Sequence, residues 1–190
     1  MRLFTAIPLP DDIKQTAGEI TRGRLPVPYV NTGNLHVTLN FFGELTDAEA
    51  DKAKKVFADT SKGFEKFSVE FDQLVKFNDQ IHLTILPNER LSLLQSILEK
   101  AFERLSLLQS ILEKAFLAAG FKFQDRPYYP HVKLTNLHMD KVMNQERKLD
   151  NFPHEELKQL NFEADKVAIF ETKLLLHHPK HIPLVEIKLL

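Results

Sequence analysis

Cysteine is absent from all 190 residues, which excludes disulfides and thiolate chemistry. No apolar run approaches membrane-spanning length. The opening "MRLFTAIPLP" is too short for a secretory signal and soon meets Asp11 and Asp12. Charge of one sign is not in excess either: 25 Lys and Arg stand against 26 Asp and Glu. Bulk attraction to nucleic acid is therefore weak, and any such contact must come from a local basic patch. Tryptophan is missing, and three Tyr accompany fifteen Phe. The glycine-rich fingerprints of mononucleotide and dinucleotide sites are absent as well. These absences leave a soluble, cytoplasmic protein with no membrane partner, ordinary apolar content and enough length to bury a real core.

The patterning gives alternating strands and helices. "RLFTAIPL" reads as a strand closed by Pro10, followed by a helix starting at Asp11. "LPVPYVNTGNL" reads as loop, and "HVTLNFFGEL" as an aromatic strand ended by Gly43. Thr46 and Glu49 form a capping box for a second helix reaching about Asp59. "FEKFSVEFDQLVKF" and "QIHLTILP" are strands joined by Asn78 and Asp79, and "RPYYPHVKLTNL" returns to strand. Residues from about 140 to 160 are helix-prone and broken at Pro153. "ADKVAIFETKLLL" and "IPLVEIKLL" close the chain as strands around a turn "HHPKH". Connections short enough for hairpins favour an α+β fold with mainly antiparallel sheets over a doubly wound parallel sheet.

Residues 89–102, "ERLSLLQSILEKAF", are repeated without a difference at 103–116. Leu91, Leu94, Ile97, Leu98, Ala101 and Phe102 recur at helical spacing, and their copies are Leu105, Leu108, Ile111, Leu112, Ala115 and Phe116. Asn88 is the expected N-cap and Gly120 the expected stop. Fourteen residues make just under four turns, so the second copy lies only about 40° out of phase with the first. The apolar stripe therefore continues almost straight, and one unbroken helix from about Asn88 to Ala118 is expected. Natural repeats diverge and are longer, so the copy reads as an insertion, deliberate or from a very recent duplication. Its unpaired stripe implies a homodimer or domain swap through the doubled helix. The Glu and Lys of the repeat read as a solvated face, with no chemistry.

The chemistry-bearing residues are histidines. "HVTL" at His36, "HLTI" at His82 and "HVKL" at His131 each place a hydroxyl or ammonium two residues on, which on a strand is the same face. An imidazole that moves a proton beside a group that holds a phosphoryl oxygen is half of a phosphate site. One such half-site is also what a half-buried structural histidine looks like.

Together "MRLFTAIPLP", "NLHVTLNFFGE", "PHVKL" and "IFETKLLLHHPKHIPLVEIKLL" resemble the 2H phosphoesterase superfamily, and more closely its RNA 2′,3′-cyclic phosphodiesterases, also called 2′-5′ RNA ligases. The resemblance covers nearly the whole chain in order. It implies a single two-lobed domain over 1–190, with antiparallel sheets flanking a central cleft and helices outside. It also implies two histidine motifs facing each other across that cleft, with no metal and no cofactor. His36 and Thr38 match the first motif fully. His131 and Lys133 stand at the second, behind Pro130. The two histidines are 95 residues apart, or 81 without the fourteen extra, which is nearer the family's usual separation.

The resemblance implies RNA ends or cyclic nucleotides as ligands. It casts His36 as general acid and His131 as general base, with Thr38 and Lys133 holding the non-bridging oxygens. Phe42, Tyr128 and Tyr129 are candidates to stack on a base. His82 falls outside the pair and is expected outside the cleft. His177, His178 and His181 read as solvated turn histidines, since no carboxylate or Cys accompanies them as a metal partner. Two departures bear on activity: Lys133 replaces a Thr or Ser, and Asn136 stands where many relatives carry Arg. A cation beside His131 lowers its proton affinity, which suits a base. The rival readings are a non-catalytic RNA-end binding module of the same fold and an engineered helix duplication on this scaffold with impaired activity.

Overall fold

The computed structural model describes residues 1–22, 24, 25, 30–112, 128–136, 152, 154–175 and 179–190, with 102–112 as backbone. The strands are β1 (Arg2–Pro8), β2 (His36–Glu44), β3 (Phe67–Phe77), β4 (Gln80–Ile85), β5 (His131–Asn136), β6 (Asn161–Ala164), β7 (Lys166–Leu174) and β8 (Pro179–Lys188). The helices are α1 (Asp11–Thr21), α2 (Asp47–Ser61), α3 (Glu89–Leu112) and the short α4 (His154–Lys158). All eight strands form one sheet in the order β6-β3-β4-β5-β2-β1-β7-β8, and the pairs are antiparallel. The α+β antiparallel architecture is as expected. The expected plural sheets are one continuous sheet, whose two four-stranded halves meet where β5 pairs with β2 through Val37 and Val132 alone.

One face of the sheet carries the main core. Ile13 and Ala17 of α1, Ala50, Ala53 and Phe57 of α2, and Leu91, Leu94 and Leu98 of α3 pack there. They meet strand residues such as Leu3, Ile7, Val37, Leu83 and Val132. A smaller cluster of Phe4, Ala6, Ala168 and Phe170 lies on the other face. This is why β1 is buried continuously from Leu3 to Ile7 rather than in alternation: it is a central strand covered on both sides.

Local signals act where the sequence places them. Thr46 caps α2 by accepting from the Glu49 amide, and the Glu49 carboxylate accepts from the Thr46 amide. Asn88 caps α3 by accepting from the Leu91 amide at 2.9 Å. The β3–β4 turn uses Asn78 in the left-handed region, φ 54°. At α1 the cap position is Pro10, without a side-chain bond, and Asp11 is the first helical residue. Strand β6 was not expected; it pairs with β3. The "HHPKH" segment is not wholly a turn, because β8 already begins at Pro179 and hydrogen-bonds back to β7.

Helix α3 crosses the junction between the two copies, at residues 102 and 103, without a break. The first copy occupies the slot: Leu91, Leu94 and Leu98 are completely buried. Gly120 and the end of the second copy lie outside the described residues.

Candidate active site

The alternation of β2 and β5 decides which side chains leave the core. Val37, Leu39, Val132 and Leu134 enter it, so His36, Thr38, His131 and Lys133 point to the opposite face. The bridge between Val37 and Val132 is antiparallel. Pairing about that bridge sets His36 across from Lys133, and Thr38 across from His131. Four groups that carry or hold protons thus converge at the junction of the two half-sheets. Tyr128 braces the junction by donating its hydroxyl to the Thr38 carbonyl at 3.0 Å.

Both rings are held the same way. His36 Nδ1 donates to the Asn34 carbonyl at 2.6 Å, and His131 Nδ1 donates to the Tyr129 carbonyl at 2.8 Å. A carbonyl only accepts, so Nδ1 carries the proton and Nε2 of each neutral ring presents a lone pair. Asn34 is itself fixed, donating its side-chain amide to the Pro179 carbonyl at 2.7 Å.

The surroundings favour neutral rings. Burial, then the charge of His181, press the proton affinity of His36 down to about 4; the Asn34 hydrogen bond opposes this, and His131 and Lys133 add to it. His131 is lowered by burial and by Lys133, against the raising effect of the Tyr129 carbonyl. Lys133 is lowered by partial burial and raised somewhat by Asp79. A cation does lower His131, as its position in the sequence implied, but burial is the larger cause.

A model of the 2′-5′ RNA ligase superfamily matches residues 9–174. The chain belongs to that superfamily. It is 24% identical over 140 residues to the RNA 2′,3′-cyclic phosphodiesterase of Bacillus subtilis (strain 168), covering 69% of this chain and 68% of that protein. Its fold is similar to that of TT0787 of Thermus thermophilus, with 19% identity, a TM-score of 0.73, and 100% and 98% of the two chains covered. It is similar also to that of E. coli LigT complexed with 3′-AMP, with 18% identity, a TM-score of 0.74, and 99% and 97% covered.

Within this superfamily member, four residues stand differently from the sequence expectation. Phe42 is in the main core, only 8% exposed, and does not share the face of His36 and His131. The reason is that β2 carries an extra residue at Leu39 and another at Phe42 relative to β1, and each bulge resets the alternation. Phe41 takes the place instead, 54% exposed and beside Phe4. Tyr128 is a strut, its hydroxyl bonded and its ring against the core, rather than a stacking surface. Tyr129 is 53% exposed and roughly parallel to His131, at 6.0 Å between ring centres.

His82 does not lie apart from the site. It pairs with Lys133 across β4 and β5, and its ring stacks on that of His131 at 4.0 Å and 13°. It is 4% exposed, so it forms a buried backing to His131. Its Nε2 meets the Gln80 side-chain oxygen at 2.9 Å, whereas its Nδ1 has no partner among the described residues. Burial, then His131 and Lys133, lower its proton affinity to about 4. His181 is a half-buried strand residue beside His36, at 5.2 Å between ring centres, not a solvated turn residue. Its companions His177 and His178 lie outside the described residues. Sequence reasoning also passed over Phe4 and Phe170, which pack beneath His36 at 4.8 and 6.0 Å. The available signals were the apolar runs: Leu3, Phe4, Ala6 and Ile7 in β1, and Val167 to Phe170 in β7, which fit strands covered on both faces.

The His82 stack has a measurable consequence. His82→Ala is expected to cost about 2–3 kcal/mol in urea unfolding, because it leaves a cavity under His131. His82→Phe is expected to lose about 1 kcal/mol at most, since it keeps a flat ring and removes the unpartnered Nδ1 while giving up the bond to Gln80. An Ala variant as stable as the parent would show that the stack contributes no packing energy.

Proposed function

We propose that the protein hydrolyses 2′,3′-cyclic phosphates of RNA ends or nucleotides to 2′-phosphates. The observation that carries this reading is the matched pair of imidazoles on adjoining strands. Each is locked through Nδ1 and open at Nε2, with Thr38 and Lys133 between them. The 2′,3′-cyclic phosphodiesterase name of the Bacillus relative supports the substrate class.

In this mechanism His131 Nε2 takes a proton from water as its oxygen bonds to phosphorus. The bond from phosphorus to the 3′ oxygen breaks in line, and His36 gives that oxygen a proton. A 2′-phosphate and a 3′-hydroxyl result. Thr38 and Lys133 hold the non-bridging oxygens where charge develops. With a 5′-hydroxyl attacking in place of water, the same displacement of the 3′ oxygen forms a 2′-5′ linkage. Tyr129 is the remaining candidate, of the three aromatics, to stack on a base. His36 must gain a proton before it acts as an acid, because the free site holds it neutral. The departures at Lys133 and Asn136 are the observation behind the second reading, a binding module for RNA ends without turnover.

Formation of 2′-AMP from 2′,3′-cyclic AMP separates the two. His36→Ala and His131→Ala are expected to lose about 10²–10⁴-fold in rate. Lys133→Thr is expected to equal or exceed the parent, because it supplies a short hydroxyl donor. A parent without turnover supports the binding module. A Lys133→Thr variant much slower than the parent makes the ammonium an essential part of the site.

We further propose that the doubled helix drives self-association. The first copy already fills the slot against the sheet. The sequence repeats the same apolar stripe in the second copy, which suits pairing with its like on another chain. Light scattering is expected to show a dimer for the full chain and a folded monomer for the chain lacking 103–116. A strictly monomeric full chain at high concentration would refute this.

A further inference from the structure

We infer that His181 is a third histidine of the phosphate site, donating a hydrogen bond from Nε2 to a phosphoryl oxygen held between His36 and Lys133. The inference rests on the phosphate reading of the site.

The geometry comes from the last hairpin. Register pairs Thr172 of β7 with His181 of β8, and two residues on it pairs Phe170 with Pro183. His181 is thereby carried onto the face that holds Phe4, Phe170 and His36. Its ring stands edge to face with Phe4 at 5.0 Å and with His36 at 5.2 Å. Phe4 lies nearly parallel to Phe170 at 5.3 Å and forms a common apolar support beneath both imidazoles. The start of β8 is tied to the loop that orients His36, through the bond from Asn34 to the Pro179 carbonyl. One hydrogen bond therefore couples the placement of His36 to that of the strand bearing His181.

The chemistry follows from the hydrogen bonds. His36 and His131 each spend their one neutral-ring proton on a backbone carbonyl and present lone pairs to the site. Neither can donate to an anion until it gains a second proton. His181 is held differently, with Nδ1 3.2 Å from the Thr172 hydroxyl. A hydroxyl can donate, so with Thr172 donating to Nδ1 the ring proton sits on Nε2. That nitrogen has no partner among the described residues. His181 is then the one of these three histidines able to donate while neutral. The local field suits an anion: burial first, then the charges of Lys133 and Arg2, lower its own proton affinity. No carboxylate figures among the groups acting on His36, His131 or His181.

Two-bond proton–nitrogen spectra of the labelled full chain test this, because they report the tautomer of each imidazole. The free protein is expected to show Nδ1–H forms for His36 and His131 and an Nε2–H form for His181. Inorganic phosphate is expected to shift the His181 ring along the same saturation curve as His36. In kinetics with 2′,3′-cyclic AMP, His181→Phe keeps a ring against Phe4 and removes the donor. It should raise KM about tenfold while kcat stays within about threefold. His181→Gln, which restores an N–H donor, should recover part of the loss, and a merely structural ring would not show that rescue. An Nδ1–H tautomer at His181, a phosphate titration that leaves its ring unmoved, or an unchanged KM in His181→Phe overturns the inference. If the parent protein turns over no cyclic nucleotide, the reading of the reaction fails, and the phosphate titration still decides the role of His181.

Discussion

One backbone bridge, between Val37 and Val132, joins the two halves of the sheet. The relative placement of His36, Thr38, His131 and Lys133 depends on it. Both valines are completely buried on the core face, and their burial fixes by alternation that His36, Thr38, His131 and Lys133 emerge on the other. The bridge is thin in hydrogen bonds, and side chains reinforce it from both sides. The Tyr128 hydroxyl reaches the Thr38 carbonyl, and the valines pack into one cluster with all three long helices. A junction with little regular pairing is also where the sheet can leave room for a ligand while keeping its supports rigid.

The second constraint is electrostatic. Four imidazoles and one ammonium gather on this face, and the acidic group that acts on them is Asp79, on Lys133. Burial against Phe4, Phe170 and Phe77, together with mutual repulsion, keeps the histidines neutral. Such a site is short of negative charge and of protons at once. An anion corrects both deficits, since its charge raises the proton affinity of every imidazole around it. Anion binding and the charging of His36 are thus coupled in this account.

How far the sequence disclosed this can be judged element by element. The strands bearing His36 and His131 were legible because each alternates apolar residues with the two functional groups. The caps at Thr46 and Asn88 were legible because capping is local chemistry. Non-local facts were not. The bulges at Leu39 and Phe42 arise from pairing with β1, and they exchanged Phe42 for Phe41 on the site face. The nearness of His82 to His131 is a matter of β4–β5 register, which spans residues far apart in the chain. His181 was misread because "HHPKH" has turn composition, whereas tertiary pairing extends the last hairpin through it. Family resemblance pointed to His36 and His131, and sheet register brings His82 and His181 beside them.

The most direct test of the account is proton uptake on anion binding. Sulfate is a suitable probe, because it mimics a phosphoryl group and does not titrate near neutral pH. Calorimetric titration at about pH 6.5, near the ordinary histidine value, in buffers of different ionisation enthalpy measures the protons taken up per sulfate bound. The sign is set by the histidines: with His36 held near 4 in the free site, binding an anion must raise its proton affinity and draw protons from the buffer. The account predicts net proton uptake by the parent and clearly less by His36→Ala. Sulfate binding with no proton uptake, or with equal uptake in His36→Ala, would contradict it.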